Sequence, residues 1–341
     1  HRRPQIPLKR ALRIRLDAKS KRIHDADQFL CIRVPRPRKW QESLHGLFKL
    51  PSFHQVARIF DFCVNRGCER HHTCQNQPMN RLCHILALCI ALPAAAADLP
   101  RPLNDDDFIT FDPDQAKIGQ LLFYDKILSG NRNISCGTCH HHDLGGSDGL
   151  SLGIGEGGMG LGQKRVAQTA TDRIQKRIPR NAPALWNLGA NDIDVLFHDG
   201  RLSKSDLFGN GFNSPAEEWL PKGLDSLLAA QALFPLTARF EMAGAPEENE
   251  VGGAINDRID NAWPILAKAV RTNPDYGLMF VKAFAHINTP EDVTVVEIAN
   301  ALAAFMGTEW RNHDSPFDDF LAGNTEALTE KAQRGMNLFY G

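Results

Sequence analysis

The chain of 341 residues is 43% hydrophobic and 23% charged, an ordinary globular mixture that excludes a disordered or fibrous polymer. Its formal net charge of -1 hides an asymmetry, because residues 1–78 hold 17 basic and 6 acidic side chains against 22 and 34 in the remainder. The only basic block is therefore this first segment, and nothing beyond it suggests a nucleic-acid partner.

In chain order, the first organised feature is Met79 with Asn80-Arg81, an apolar run from Leu82 to Leu92, and Ala95-Ala96-Ala97 before Asp98. This reads as a secretory signal peptide over 79–97. The run is too short for a bilayer, and no later segment is long and apolar enough, so no membrane span is expected. Because such a signal works only at an N-terminus, residues 1–78 read as translated upstream sequence and not as a domain. The alternative is a real basic arm in which Cys63, Cys68, His71, His72 and Cys74 gather zinc, although their spacing fits no common zinc pattern. The expected compartment is the periplasm. After Ala97 only Cys136 and Cys139 remain, so there is no intrachain disulfide framework to build.

From Asp98 onward the periodic signals are helical, with long Gly-rich and polar loops between them, and few stretches alternate as strands do. Asp112-Pro113 is an N-cap and first-turn pair opening a short helix through Tyr124, with Ile118, Leu121 and Leu122 as its buried side. Thr289-Pro290 opens another, in which Glu291 and Asp292 suit the N-terminal dipole and Val295, Ala299, Leu302 and Met306 form an apolar stripe. Trp186 and Trp219 are expected in the core. An internal repeat matches AKIGQLLFY (116–124) to AQRGMNLFY (332–340) at five of nine positions. The first copy leads into Cys136, so the second predicts a continuation into a second attachment motif. Chance similarity of two amphipathic helices is the alternative.

Cys136-Gly137-Thr138-Cys139-His140 has the C-x-x-C-H pattern, in which two thiols add to the haem vinyl groups and the adjacent imidazole reaches the iron. A lone C-x-x-C also serves zinc and thiol redox centres. The following His, the export signal and the lack of another Cys pair favour covalent haem c. His141 and His142 sit in a polar, Gly-rich stretch and read as solvent-facing loop residues.

The order of motifs from Phe111 to Gly341 resembles the bacterial di-haem cytochrome c peroxidase family, which includes the MauG-type oxidases. The resemblance is carried by LLFYDKILSGNRNISCGTCH (121–140), PRNAPALWNLG (179–189), LFHDGR (196–201), the segment Gln231 to Glu241, EMAG (241–244) and SPFDDFLAGN (315–324). It implies an all-α fold: a cytochrome c-like haem domain with long loops over 98–313, and over 314–341 the first helix of a second cytochrome c-like domain, truncated here. It implies one haem in this chain, with His140 as proximal ligand of the peroxide-reducing iron, and a second haem for electron transfer in the full-length protein. Gln231 and Glu241 take the positions of the distal amide and carboxylate, Glu241 being the acid–base candidate, since heterolysis of a bound hydroperoxide needs one proton moved between its oxygens. Without that context Glu241 would read as a helix cap or a surface partner of Arg239, and Gln231 as an exposed helix residue. Asn181 matches a residue that helps bind calcium between the haems, an ion suited to oxygen ligands; the remaining family ligands fall beyond Gly341.

Two departures from the family pattern matter. Where many members place a distal His in the loop after the first motif, this sequence has Glu156 within GIGEGG, and no His lies between His142 and His198. An open or water-bound sixth position, under a mobile Gly-rich lid, is expected. In LFHDGR, His198 replaces the Trp that many members hold between the haems, and an insertion (about 205 to 223) precedes Gln231. The leading functional reading is a periplasmic peroxidase that reduces hydrogen peroxide to water with electrons from a small cytochrome c or cupredoxin, a homodimer being compatible with it. The alternatives are a MauG-type oxidase modifying a protein partner, and a non-catalytic electron carrier whose six-coordinate haem would need a distal ligand such as Met159.

Overall fold

The computed structural model describes residues 99–169 and 174–341; the segment 1–78 and the expected export signal 79–97 lie outside the described residues. Helix α1 (Pro113–Tyr124) starts where expected, because the Asp112 carboxylate accepts from the amides of Asp114 and Gln115 and Pro113 occupies the first turn. Its buried side is Ile118, Gly119, Leu122 and Phe123, and each large apolar side chain contributes about 1.5–3 kcal/mol on burial. Leu121, expected on that side, is instead 41% exposed: it lies one position off the stripe that meets the core, and Phe123 fills the core in its place.

The partner of α1 is a 15-residue helix, Val295–Glu309, here called α7. The sequence reading began it at Thr289. In the structure Pro290–Asp292 is a separate 3-10 turn, and α7 has its own capping box in which Thr294 and Glu297 satisfy each other's backbone amides. Val295, Ala299, Leu302 and Met306 are all buried, but so is most of the circumference, because α7 is the central helix. Its alanines admit close neighbours: a Cβ on Gly119 would stand 1.9 Å from the Ala301 carbonyl oxygen. Helix α3 (Leu227–Thr237) packs on another side of α7. Between α1 and α3 comes the single-turn α2 (Cys136–Cys139), and after α3 come α4 (Glu250–Asp257), α5 (Trp263–Arg271) and α6 (Pro274–Ala283), with α5 and α6 closing the core through Leu266, Val270 and Phe280.

The architecture is largely helical but departs from all-α in its loops. Strand β1 (Gly158–Met159) pairs antiparallel with β2 (Val166–Ala167), and β3 (Val195–Leu196), β4 (Leu202–Lys204) and β5 (Phe212–Asn213) form a second antiparallel sheet in that order. Strands of two or three residues are too short to show a period of two, so the sequence pattern missed them. The insertion supplies β5. Trp186 and Trp219, expected in the core, are 49% and 39% exposed; Trp219 serves as a platform for the Arg258 guanidinium, 3.9 Å from its ring.

The final segment holds α8 (Pro316–Leu321) and α9 (Glu330–Tyr340), neither with a buried residue. In α9, the second copy of the repeat, Leu338 and Phe339 are 87% and 80% exposed. Their counterparts Leu122 and Phe123 are fully buried.

Candidate active site

The attachment motif is built on one helical turn. Ser135 caps α2, its backbone amide and hydroxyl each 3.1 Å from the Thr138 hydroxyl, and the turn brings Cys136 and Cys139 to the same side at a spacing of three. Gly137 is required by the close approach of Tyr124, whose ring a Cβ there would meet at 2.5 Å. Both cysteines are free thiols. Burial pushes Cys136 up to about 12, the Cys139 thiol adding to it, and Cys139 to about 11, where the Arg165 charge opposes and the Asp148 and Glu241 carboxylates add.

His140 closes the turn. Its Nδ1 lies 2.7 Å from the Gly146 carbonyl oxygen, so that nitrogen is held as a donor and Nε2 is the ring nitrogen able to ligate a metal. Burial lowers its pKa, against the opposing pull of the Gly146 carbonyl, the Asp148 carboxylate and the Pro183 carbonyl. A neutral imidazole with its far nitrogen tied down, next to two unpaired thiols on one turn, fits covalent haem c.

The Gly-rich loop after the motif is pinned. Arg165, 5% exposed, donates from Nε to the Ile154 carbonyl (2.5 Å), from Nη2 to Gly155 (2.7 Å) and from Nη1 to Gly160 (2.8 Å). The expectation of a mobile lid meets a loop held by three charge-assisted bonds at its neck. Glu156 is likewise fixed, its Oε1 accepting from the amides of Asn131 (3.0 Å) and Asn133 (2.6 Å), while Oε2 is buried without a partner. Met159 is 59% exposed in β1.

Glu241 sits in a five-residue π-turn, Arg239–Ala243, a helical irregularity frequent at functional sites. This turn lies directly on the loop: the Glu156 amide donates to the Phe240 carbonyl at 3.1 Å, and a Cβ on Gly155 would stand 2.8 Å from the Glu241 Cα. The segment before the motif holds it from another side, since the Gly130 amide donates to the Met242 carbonyl and Asn249 bridges the Asn131 side chain and the Ala243 carbonyl. Glu241 does not pair with Arg239, which reaches Gln175 instead at 2.9 Å. Burial raises its pKa, partly offset by the Arg201 charge, and its own charge is felt at Cys139. Gln231 is half-buried on α3, with no hydrogen bond joining it to Glu241 or to the Cys136–His140 turn.

Asn181 is already engaged. Its Nδ2 donates to Asp148 Oδ1 (2.5 Å) and the Leu150 carbonyl (2.8 Å), and its Oδ1 accepts from Ser147 (2.8 Å). Among the described residues no group of three His, Cys, Asp or Glu side chains is placed to hold a metal, so these residues alone do not make a calcium cage. His198 is exposed. It follows Phe197, whose φ of 62° is strained for a bulky residue; that turn lays the Arg201 guanidinium over the Phe197 ring at 4.3 Å.

Sequence reasoning missed Arg165, the buried Asp148, and the environment of His142. Asp148 is 1% exposed, with Oδ2 unpartnered, and only its place in GGSDG could have marked it. His142 is exposed, as expected, but one face of its ring lies flat against Trp310 and it is hydrogen-bonded to the Tyr124 hydroxyl.

A family model described as "Di-haem cytochrome c peroxidase" matches residues 113–326. The chain is 28% identical to the methylamine utilization protein MauG of Methylorubrum extorquens over 67% of this chain and 47% of that protein. It is also 28% identical to a cytochrome c551 peroxidase of Nitrosomonas europaea, over 67% and 49%. It thus spans about half the length of these curated relatives. Among solved structures, a MauG-like protein associated with microbial copper homeostasis aligns over 74% of this chain and 55% of its own, at 24% identity and a TM-score of 0.42. The diheme peroxidase BthA from Burkholderia thailandensis aligns over 73% and 52%, at 19% and 0.41.

Proposed function

We propose, from the premise that this chain belongs to the di-haem cytochrome c peroxidase family, that it forms the peroxide-reducing half of an exported enzyme. Hydrogen peroxide is the substrate in this reading, and a small cytochrome c or cupredoxin the electron source. Residues 98–313 make the haem domain and 314–341 begin the second. The observation that carries it is the position of Glu241: a buried carboxyl group, raised in pKa, on an irregular turn packed against the loop that faces Cys139.

Haem c, when held through Cys136, Cys139 and His140, supplies the iron that exchanges electrons with peroxide. The remaining steps belong to the protein. His140 is oriented by Gly146, which fixes the tautomer that presents Nε2. Glu241 takes the proton from one peroxide oxygen and returns it to the other, so that the leaving oxygen departs as water. Its raised pKa keeps the protonated and ionised forms closer in energy near neutral pH than an exposed glutamate would. Gln231 orients the substrate by its amide. Arg165 holds the loop at a fixed distance from the Glu241 turn and limits water entry.

A MauG-type oxidase is the second reading, favoured by Glu156. Its carboxylate is tied to Asn131 and Asn133, and the stretch offers no imidazole for the sixth position. Optical and electron paramagnetic resonance spectra of the ferric protein, before and after stoichiometric peroxide, test the peroxidatic reading. A high-spin signal that changes with peroxide is expected; a low-spin spectrum that peroxide leaves unmoved would refute an open pocket. Steady turnover with a reduced cytochrome, as opposed to oxidation of a bound protein, separates the two readings.

A further inference from the structure

The proximal side of the attachment turn carries an aromatic cluster that the acid–base chemistry does not use. Phe123 stands with its ring centroid 6.4 Å from that of His140 and 5.4 Å from that of Trp310. Trp310, 2% exposed, ends α7 and has His142 stacked on it at 4.7 Å and 14°. His142 is in turn bonded to the Tyr124 hydroxyl, and the Tyr124 ring rests on Gly137, inside the attachment motif itself. The outer members reach solvent: Tyr124 is 43% exposed, as is the His142 side chain. Packing alone explains Phe123 and Phe305, whose ring stands 5.2 Å from that of Phe123 and 5.5 Å from that of Trp310. It does not explain why a polar, half-exposed imidazole two residues from His140 lies flat on the most deeply buried of the described tryptophans, with a tyrosine fixing its orientation.

We propose that Trp310 is an oxidisable relay between the haem attached at Cys136–His140 and the surface patch formed by Tyr124 and His142, a route for a one-electron donor besides the second haem that the family resemblance implies. The inference rests on the peroxidatic reading, which supplies the oxidant. Peroxide takes two electrons and two protons and leaves as two waters. Trp310 then gives one electron to the oxidised haem and becomes an indole radical cation, with no proton lost. The donor at the patch returns that electron. Without a donor, Trp310 yields a second electron to the haem, takes the oxygen of one water and releases two protons. The sum is peroxide plus tryptophan giving hydroxytryptophan plus water. Indole and phenol are the side chains from which an electron is most easily removed, and close ring stacking of the kind seen here keeps each transfer short.

The test compares oxygen addition at individual tryptophans by peptide mass spectrometry, after stoichiometric hydrogen peroxide is added to the haem-loaded full chain without reductant. Attack from solvent follows exposure and modifies Trp186 and Trp219 before Trp310. Relay through the haem reverses the order, so Trp310 carries several-fold more added oxygen than either, and Trp263, buried at 8% exposure but outside the cluster, carries none. Ferrocyanide added beforehand is expected to suppress the Trp310 product. The haem absorption spectrum is recorded in the same samples. A spectrum that responds to peroxide while oxidation follows exposure overturns the relay alone. A spectrum unmoved by peroxide overturns the peroxidatic reading and the relay with it.

Discussion

Gly119 meets Ala301 so closely that a single added methyl group would sit 1.9 Å from a carbonyl oxygen, and this contact sets how near α1 comes to α7. Gly335, its counterpart in the repeat, has nothing within 4 Å of the same position. Opposite outcomes follow for one substitution. Gly119→Ala forces the helices apart and destabilises the haem-loaded protein by about 1–3 kcal/mol or more, whereas Gly335→Ala stabilises α9 by up to about 1 kcal/mol. Urea unfolding of the two variants checks both; equal effects would contradict the packing described.

Glu241 predicts a pH dependence. Burial raises its pKa in the folded state, so the native form holds its proton to higher pH than the unfolded chain. Stability therefore falls as pH rises from the ordinary carboxyl value near 4.5 toward the raised one. Glu241→Gln should flatten that fall and raise the melting temperature near neutral pH, while slowing the reaction with peroxide by about 10²–10⁴-fold. Stopped-flow absorbance and thermal scans across pH measure the two effects separately. A variant of unchanged rate removes Glu241 from the proton path.

Arg165 donates to three carbonyls, of which Gly155 also accepts from the Gly158 amide at 3.2 Å. Arg165→Ala removes three charge-assisted bonds, two of them buried, and should cost about 3–5 kcal/mol, with amide exchange accelerated over residues 154–160. Arg165→Lys cannot span the three acceptors with a single ammonium and should restore less than half. Exchange spread evenly over the chain would indicate a general effect instead.

Acid sensitivity should appear at the start of α7. Burial pushes the Glu297 carboxyl up, but the Thr294 hydroxyl, His286 and the Thr294 amide together prevail, and it titrates below its ordinary value. The stability it contributes is present above about pH 4.5 and is lost as pH falls through the depressed native value. Thr294→Ala removes the cap, costs about 0.5–2 kcal/mol and shifts acid unfolding to higher pH, as circular dichroism would record.

What the sequence disclosed follows from where each constraint acts. Cys136, Cys139 and His140 are legible as a haem motif because covalent attachment and iron ligation would demand adjacent residues, and α1 because Asp112 and Pro113 act within one turn. The repeat was legible as letters, but its meaning was not: Leu122 and Phe123 are buried in α1, while Leu338 and Phe339 are bare in α9. Arg165 in QKRV resembles any surface arginine, since its acceptors lie five to eleven residues upstream in a loop whose path no local pattern encodes. The exposure of His142 was legible, but its stacking partner was not, Trp310 being 168 positions away. The site residues Gln231, Glu241 and Asn181 were reached through family resemblance, and the structure sorts them by surroundings: Glu241 is buried beside the loop, Asn181 is committed to Asp148 and Ser147, and Gln231 is not tied to either.

The bare face of α9 has a consequence in concentrations. Covering Leu338 and Phe339 would yield about 3–6 kcal/mol in total at about 1.5–3 kcal/mol per side chain, before the costs of association are subtracted. A dissociation constant of 1 mM corresponds to about 4.1 kcal/mol. Two side chains of this kind cannot retain a freely diffusing partner at micromolar levels. They can retain an element joined to the same chain by a short linker, whose effective concentration is itself on the order of millimolar. The face is therefore matched to an intramolecular neighbour: cheap to close when the neighbour is tethered, and open when it must be found by diffusion.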